Sequence, residues 1–140
     1  MASGSKFNAF VASLGNGVVD LNTDTLKCLL TNTAPVSTNT GYSSISANEL
    51  ANGAGYTTGG ASITGQSGTQ TGGVYTLVGT LANPTWTATG SMGPFRYAVI
   101  YDVTASGEPL IGWWDYGSSV TLTSGQTFYV NISSGILTLQ

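Results

Sequence analysis

Asp20, Asn22 and Asp24 place oxygen-bearing side chains at alternate positions, D-x-N-x-D, which is how a calcium loop begins. The match then fails, because Thr25 stands where such a loop needs Gly and Thr31 where a bidentate Glu would close the shell. A polar turn, with no metal, is the expectation there. Asp102 and Glu108 bracket a second candidate, the TASGEP turn, and glycoside hydrolysis needs two carboxyls facing each other across a cleft. A hairpin tip is convex and wet, the wrong place to raise an acid's pKa, so solubility and turn formation account for this pair. Ser3 and Lys6 satisfy S-x-x-K without its companion motifs. No His occurs anywhere, which removes Ser/His/Asp and Cys/His catalysis and every imidazole-bound zinc. Cys28, alone in LKCLL, can form no intrachain disulfide and reads as a small buried hydrophobe. The residues therefore predict no catalytic group, no metal, no cofactor and no enzyme.

The elements that would position these groups are mostly strands. Phe7, Phe10, Val11 and Leu14 fall at i, i+3, i+4 and i+7, predicting a short helix over residues 5–14. Ser3 or Ser5 would cap its start, and Gly15, Asn16 and Gly17 would end it. Strands are expected at 18–21, 25–32, 74–80, 85–89, 95–103, 110–116, 119–123, 127–132 and 136–139, with Pro35 stopping the second. In the fourth, Trp86 falls on one face and Thr85 and Thr87 on the other. Residues 36–73 form a run of Ser, Thr, Asn and Gly with few apolar anchors, read as a long polar loop or arm. Within it Ser46 and Glu49 match a capping box, predicting one helical turn, and 65–73 reads as a flexible tip or a solvated hairpin loop. About nine short strands joined mostly by short turns suit a single domain over 1–140, an antiparallel β-sandwich of jelly-roll type.

The 96–116 hairpin bears on partners. Tyr97, Val99, Tyr101 and Val103 alternate with Ala98 and Ile100, so the strand is apolar on both faces, and the adjacent Trp113 and Trp114 must point opposite ways. One face packs into the sandwich, leaving the other to the N-terminal helix or to a second subunit. Arg96 and Asp115 sit near the open end, where some registers pair them.

Nine charged residues in 140 is 6%, far below the roughly 25% of ordinary soluble domains. The net charge of −3, with only Lys6, Lys27 and Arg96 positive, supplies no basic patch for nucleic acid or an anionic membrane. No apolar run approaches a membrane span and no signal peptide is evident, so synthesis and folding in the cytoplasm are expected.

The segments KFNAFVASLGNGVVDLNTDTLKCLLTNTAP, ANGAGYTTGG, GPFRYAVIYD and PLIGWWDYGSSVTL resemble small virion-associated structural proteins of tailed bacteriophages. By size and all-β character the chain is similar to capsid decoration, or cement, proteins, which sit on the phage head and clamp neighbouring capsid subunits. That resemblance implies a virion location, the major capsid protein as partner, and no catalytic residues. A homo-oligomer, dimer or trimer, is expected, with Phe7, Phe10, Tyr97, Tyr101, Trp113, Trp114 and Tyr116 as candidate interface. A tail-tube or tail-fibre component is one alternative. A carbohydrate-binding adhesion module, stacking sugars on Trp86, Trp113, Trp114 and Tyr116, is another.

Overall fold

The computed structural model describes residues 4–133 and 135–139. Among the described residues β-strand predominates, in antiparallel sheets, with one α-helix. The largest sheet is built on the two longest apolar runs, β7 (Met92–Asp102) and β8 (Leu110–Leu122). β8 spans Gly117 and Ser118, where a break was expected; the register to β7 jumps there, from Asp115 opposite Tyr97 to Val120 opposite Phe95, so the exposed residues Tyr116–Ser119 bulge out of the ladder within a continuous strand. β2 (Leu26–Thr31) pairs with β7 in unbroken register, Leu26 opposite Asp102 and Thr31 opposite Tyr97. β1 (Gly4–Lys6) and β3 (Ala61–Ser62) close the edges, in the order β1-β8-β7-β2-β3.

The N-terminus differs from expectation. Residues 4–6 pair with β8 at Gly112–Trp114, so α1 starts only at Asn8 and runs to Gly15. Phe7 takes the cap position with no side-chain bond, and the Ser37 carbonyl accepts the Asn8 N–H at 2.9 Å instead. Ser5 cannot cap the helix because it sits opposite Trp113 in the sheet; Ser3 lies outside the described residues. At the other end Val18 donates to Ser13 O at 2.8 Å and Gly17 to Leu14 O at 3.2 Å, the paired bonds of a Schellman stop. The chain then turns through residues 21–24, and 18–21 forms no strand; Val19 and Leu21 are buried as loop residues.

The segment 36–73 is not an arm. Two short 3₁₀ turns, Tyr42–Ser44 and Ser46–Asn48, carry it to the outer edge of β2. There Leu50 donates to Leu30 O and Ile63 to Leu26 O, both at 2.8 Å, so the edge is capped by backbone bonds. Ile45, Tyr56 and Ile63 are buried and serve as the anchors. Gly60 has φ +80°, and any Cβ there would collide with the Cys28 carbonyl, so only glycine lets the segment lie this close. Residues 64–71 form β4 (Thr64–Thr71), which turns through Gly72 and Gly73, both at positive φ, into β5 (Val74–Ala82). That is the primed two-residue turn that matches strand twist. β10 (Leu137–Leu139) completes this sheet on the far side of β5. β6 (Thr85–Thr87) pairs with β9 (Thr127–Tyr129), with Trp86 buried between exposed threonines. One contiguous core joins Phe7, Phe10, Leu30, Leu77, Trp86, Ile100 and Ile132.

Candidate functional site

The acidic groups come first because they are the groups that titrate. Asp20 closes a local turn, accepting from Asn22 N at 3.0 Å and from Thr23 Oγ1 at 2.7 Å; these bonds hold its carboxyl below the usual range. Asp24 turns back to accept the Asp20 N–H at 2.8 Å. Among the described residues no group of three or more His, Cys, Asp or Glu side chains converges as a metal site would. Cys28 is fully buried, and burial pushes its thiol up.

Asp102 corrects the reading of a wet hairpin tip. It lies at the base of the turn, fully buried, where its Oδ1 accepts from Thr104 N at 2.8 Å and Ala105 N at 3.1 Å. Its Oδ2 is buried and takes no N–H or O–H donor among the described residues. Burial, and then the neighbouring Asp24 carboxyl, push its pKa up to about 6. The carboxyl that it meets is thus Asp24, 78 positions back across the β2–β7 pair, and not Glu108.

Glu49 is the residue whose role the capping-box pattern misassigned. The box would turn its side chain back to the Ser46 N–H. Its carboxylate instead accepts from Tyr42 Oη, Tyr56 Oη and Gly59 N, each at 2.6 Å. Tyr56 Oη also takes the Leu30 N–H at 3.2 Å, Tyr101 donates to Gly59 O at 2.7 Å, and the Tyr42 and Tyr101 rings stack at 5.0 Å. Desolvation and the Glu49 carboxylate push the Tyr42 hydroxyl up to about 12. The cluster is structural: it pins residues 42–60 to β2 and β7.

The aromatic residues expected at an interface divide. Phe7, Phe10, Tyr101 and Trp114 are buried within this one chain. Both faces of β7 are covered intramolecularly, Ala98, Val99, Ile100 and Tyr101 all being buried, so no second subunit is required to cover them. Trp113 is half-buried against Phe7, ring centroids 4.5 Å apart. Tyr97 is half-buried beneath Arg96, whose Cζ lies 5.4 Å from its ring centroid. Tyr116 alone of the seven is widely exposed, at 61%.

Comparison with protein-family models, with curated proteins and with solved structures finds no match. Function is therefore read from this chain's own surface.

One opening on that surface lies where β8 meets β9. It is a cleft of about 450 Å³ with Leu30, Ala98 and Trp114 among its lining and Tyr116 and Tyr129 on it, both exposed. The cross-strand pair read from the sequence is present here: Arg96 Nε to Asp115 Oδ1 at 2.7 Å and Nη2 to Oδ2 at 2.9 Å, a bidentate fork. Tyr129, Phe128 and Asn131 were not singled out from the sequence; alternation along TFYVN places Phe128 inward and Tyr129 outward, which was the available signal.

Proposed function

We propose that this chain is a structural protein of a tailed-bacteriophage virion, a decoration or cement protein that binds the assembled head and stabilises contacts between subunits of the major capsid protein. The finer architecture that accompanies this reading is a β-sandwich of jelly-roll type. Two kinds of support converge. The first is the resemblance carried by GPFRYAVIYD, PLIGWWDYGSSVTL and the N-terminal segment.

The second, which carries the proposal, is a surface almost without charge that still exposes apolar side chains. Of the nine charged residues, Arg96 and Asp115 neutralise each other, Asp102 is buried and Glu49 is enclosed by two tyrosines and Gly59. Val11 on α1, Val18 just beyond it and Val36 beside its start are each about half exposed. α1 itself, NAFVASLG, contains no charged residue. Such a surface suits a contact made of apolar burial and neutral hydrogen bonds. Association of copies as a dimer or trimer belongs to the same proposal.

A protein that binds the assembled lattice and not dissociated subunits stabilises the shell by mass action, about 2.7 kcal/mol per site at a hundredfold excess over Kd. The test is add-back. Heads lacking this protein are heated with and without the purified chain, and DNA release is followed by dye fluorescence. A higher release temperature with the protein is expected; an unchanged one, or retention only on tails, overturns the proposal.

A further inference from the structure

We infer that the cleft between β8 and β9 is a binding site for a neutral oligosaccharide. This goes beyond the decoration reading and does not depend on it. Tyr116 and Tyr129 are 61% and 58% exposed, and in an isolated chain such area is left in water. Tyr116 is held for stacking: Phe128 meets it edge-on, centroids 5.7 Å apart at 74°, and Phe128 is fixed in turn against Phe95 at 4.8 Å. Rigid tyrosines supply contact area at low entropic cost, and the apolar C–H face of a pyranose is the saccharide surface that fits them.

The polar groups select the rest. The Arg96–Asp115 fork uses Nε and Nη2, leaving guanidinium N–H donors beside carboxylate lone pairs, with the side chains 37% and 41% exposed. Adjacent donors and acceptors in one plane are what a vicinal diol requires, since each hydroxyl both donates and accepts. Asn131 adds an amide NH₂, because its Oδ1 is occupied by Ser133 N at 3.1 Å and Ser133 Oγ at 2.8 Å.

The same groups argue against other ligands. A phosphate reaching the free guanidinium donors would meet the Asp115 carboxylate beside them, so the pair offers an anion no net positive charge. Single-stranded nucleic acid needs a cationic groove, and the Arg–Asp pair sums to zero. A volume of about 450 Å³ falls in the range of small-ligand clefts.

The full chain, ¹⁵N-labelled, is titrated with neutral hexasaccharides of glucose, galactose, mannose and N-acetylglucosamine. At least one is expected to shift amides of residues 96–98, 114–117 and 128–131 and no others. Tyr116→Ala and Tyr129→Ala, both at exposed positions, each weaken binding by about two- to tenfold, while Tyr116→Trp retains it. No shift with any of the four at millimolar concentration, or equal affinity in the double alanine variant with an otherwise unchanged spectrum, overturns the inference. So does a proline-rich decapeptide shifting these amides when no saccharide does. If the double variant loses retention on heads while the parent chain binds no saccharide, the cleft is a shell contact: the saccharide inference fails and decoration stands.

Discussion

Replacing Glu49 with Ala should destabilise the free protein by about 3–4 kcal/mol, and the reasoning starts from what one carboxylate holds. Three donors converge on it at 2.6 Å: two tyrosine hydroxyls and the Gly59 amide. Hydrogen bonds to a charged group contribute about 1.5–3 kcal/mol each, but three that share one half-buried carboxylate do not add in full. Most of the cost comes from Tyr56, 2% exposed, whose hydroxyl would lose the acceptor it donates to inside the core. Out of a typical total of about 5–15 kcal/mol, that is a large share. Urea unfolding gives the loss from the midpoint at constant m. Hydrogen exchange locates it, with amides of residues 42–60 losing protection before those of β7 and β8. Tyr56→Phe should cost nearly as much, because it also strands the buried Leu30 N–H, and Tyr42→Phe less, about 1 kcal/mol. A Glu49→Ala loss below about 0.5 kcal/mol, or weak protection of 42–60 in the parent protein, would refute the account of this segment as pinned.

Asp102 carries a pH dependence of unusual sign. Its folded pKa, about 6, lies above its ordinary 3.8, so between these values the folded state holds the proton and the unfolded state has lost it; stability should fall as pH rises from about 4 to about 6 and then level. Asp102→Asn, which keeps the acceptor for Thr104 and Ala105, should flatten that slope and raise the melting temperature at pH 7. Gly60→Ala and Gly107→Ala both start from φ +80°, but only the first drives its Cβ into backbone; Gly60→Ala should cost at least about 2 kcal/mol more in urea unfolding. Arg96→Gln breaks a half-exposed ion pair and should cost under about 1 kcal/mol by the same assay. Retention of the protein on heads should be nearly constant from low to molar salt, as measured by pelleting and gel densitometry, since there is so little charge to screen.

The strands that were legible are those carried by long runs of apolar, aromatic and β-branched residues. β2, β7 and the first half of β8 lie where LKCLLT, FRYAVIYD and LIGWWDY put them, and Trp86 faces inward from its threonines. What the pattern could not show is long-range pairing. Residues 4–6 are strand because β8 offers an open edge more than 100 positions away, and no local propensity of Gly-Ser-Lys signals that. The polar run 36–73 looked loose because its apolar anchors are few, Ile45, Tyr56 and Ile63, and its other ties are hydrogen bonds that composition does not show: one glutamate, two tyrosine hydroxyls and backbone bonds to β2. The local capping-box rule failed for the same reason, a tertiary use of Glu49 outcompeting a helical one. The aromatic hairpin was rightly seen as two-faced, but counting apolar residues could not reveal that a single chain covers both faces. The ion pair of Arg96 and Asp115 was legible from hairpin register; the cleft above it needed β9, whose approach to β8 is set by the packing of Phe128.

The central claim is location on the head. A cryo-electron microscopy reconstruction of the intact particle, at a resolution that shows side chains, tests it most directly. The account predicts density for this chain at contacts between capsid subunits on the outer surface, with the valine-bearing side around α1 against the shell and the Tyr116–Tyr129 cleft open to solvent. Heads bearing no such density, with the chain found only in the tail, would contradict it.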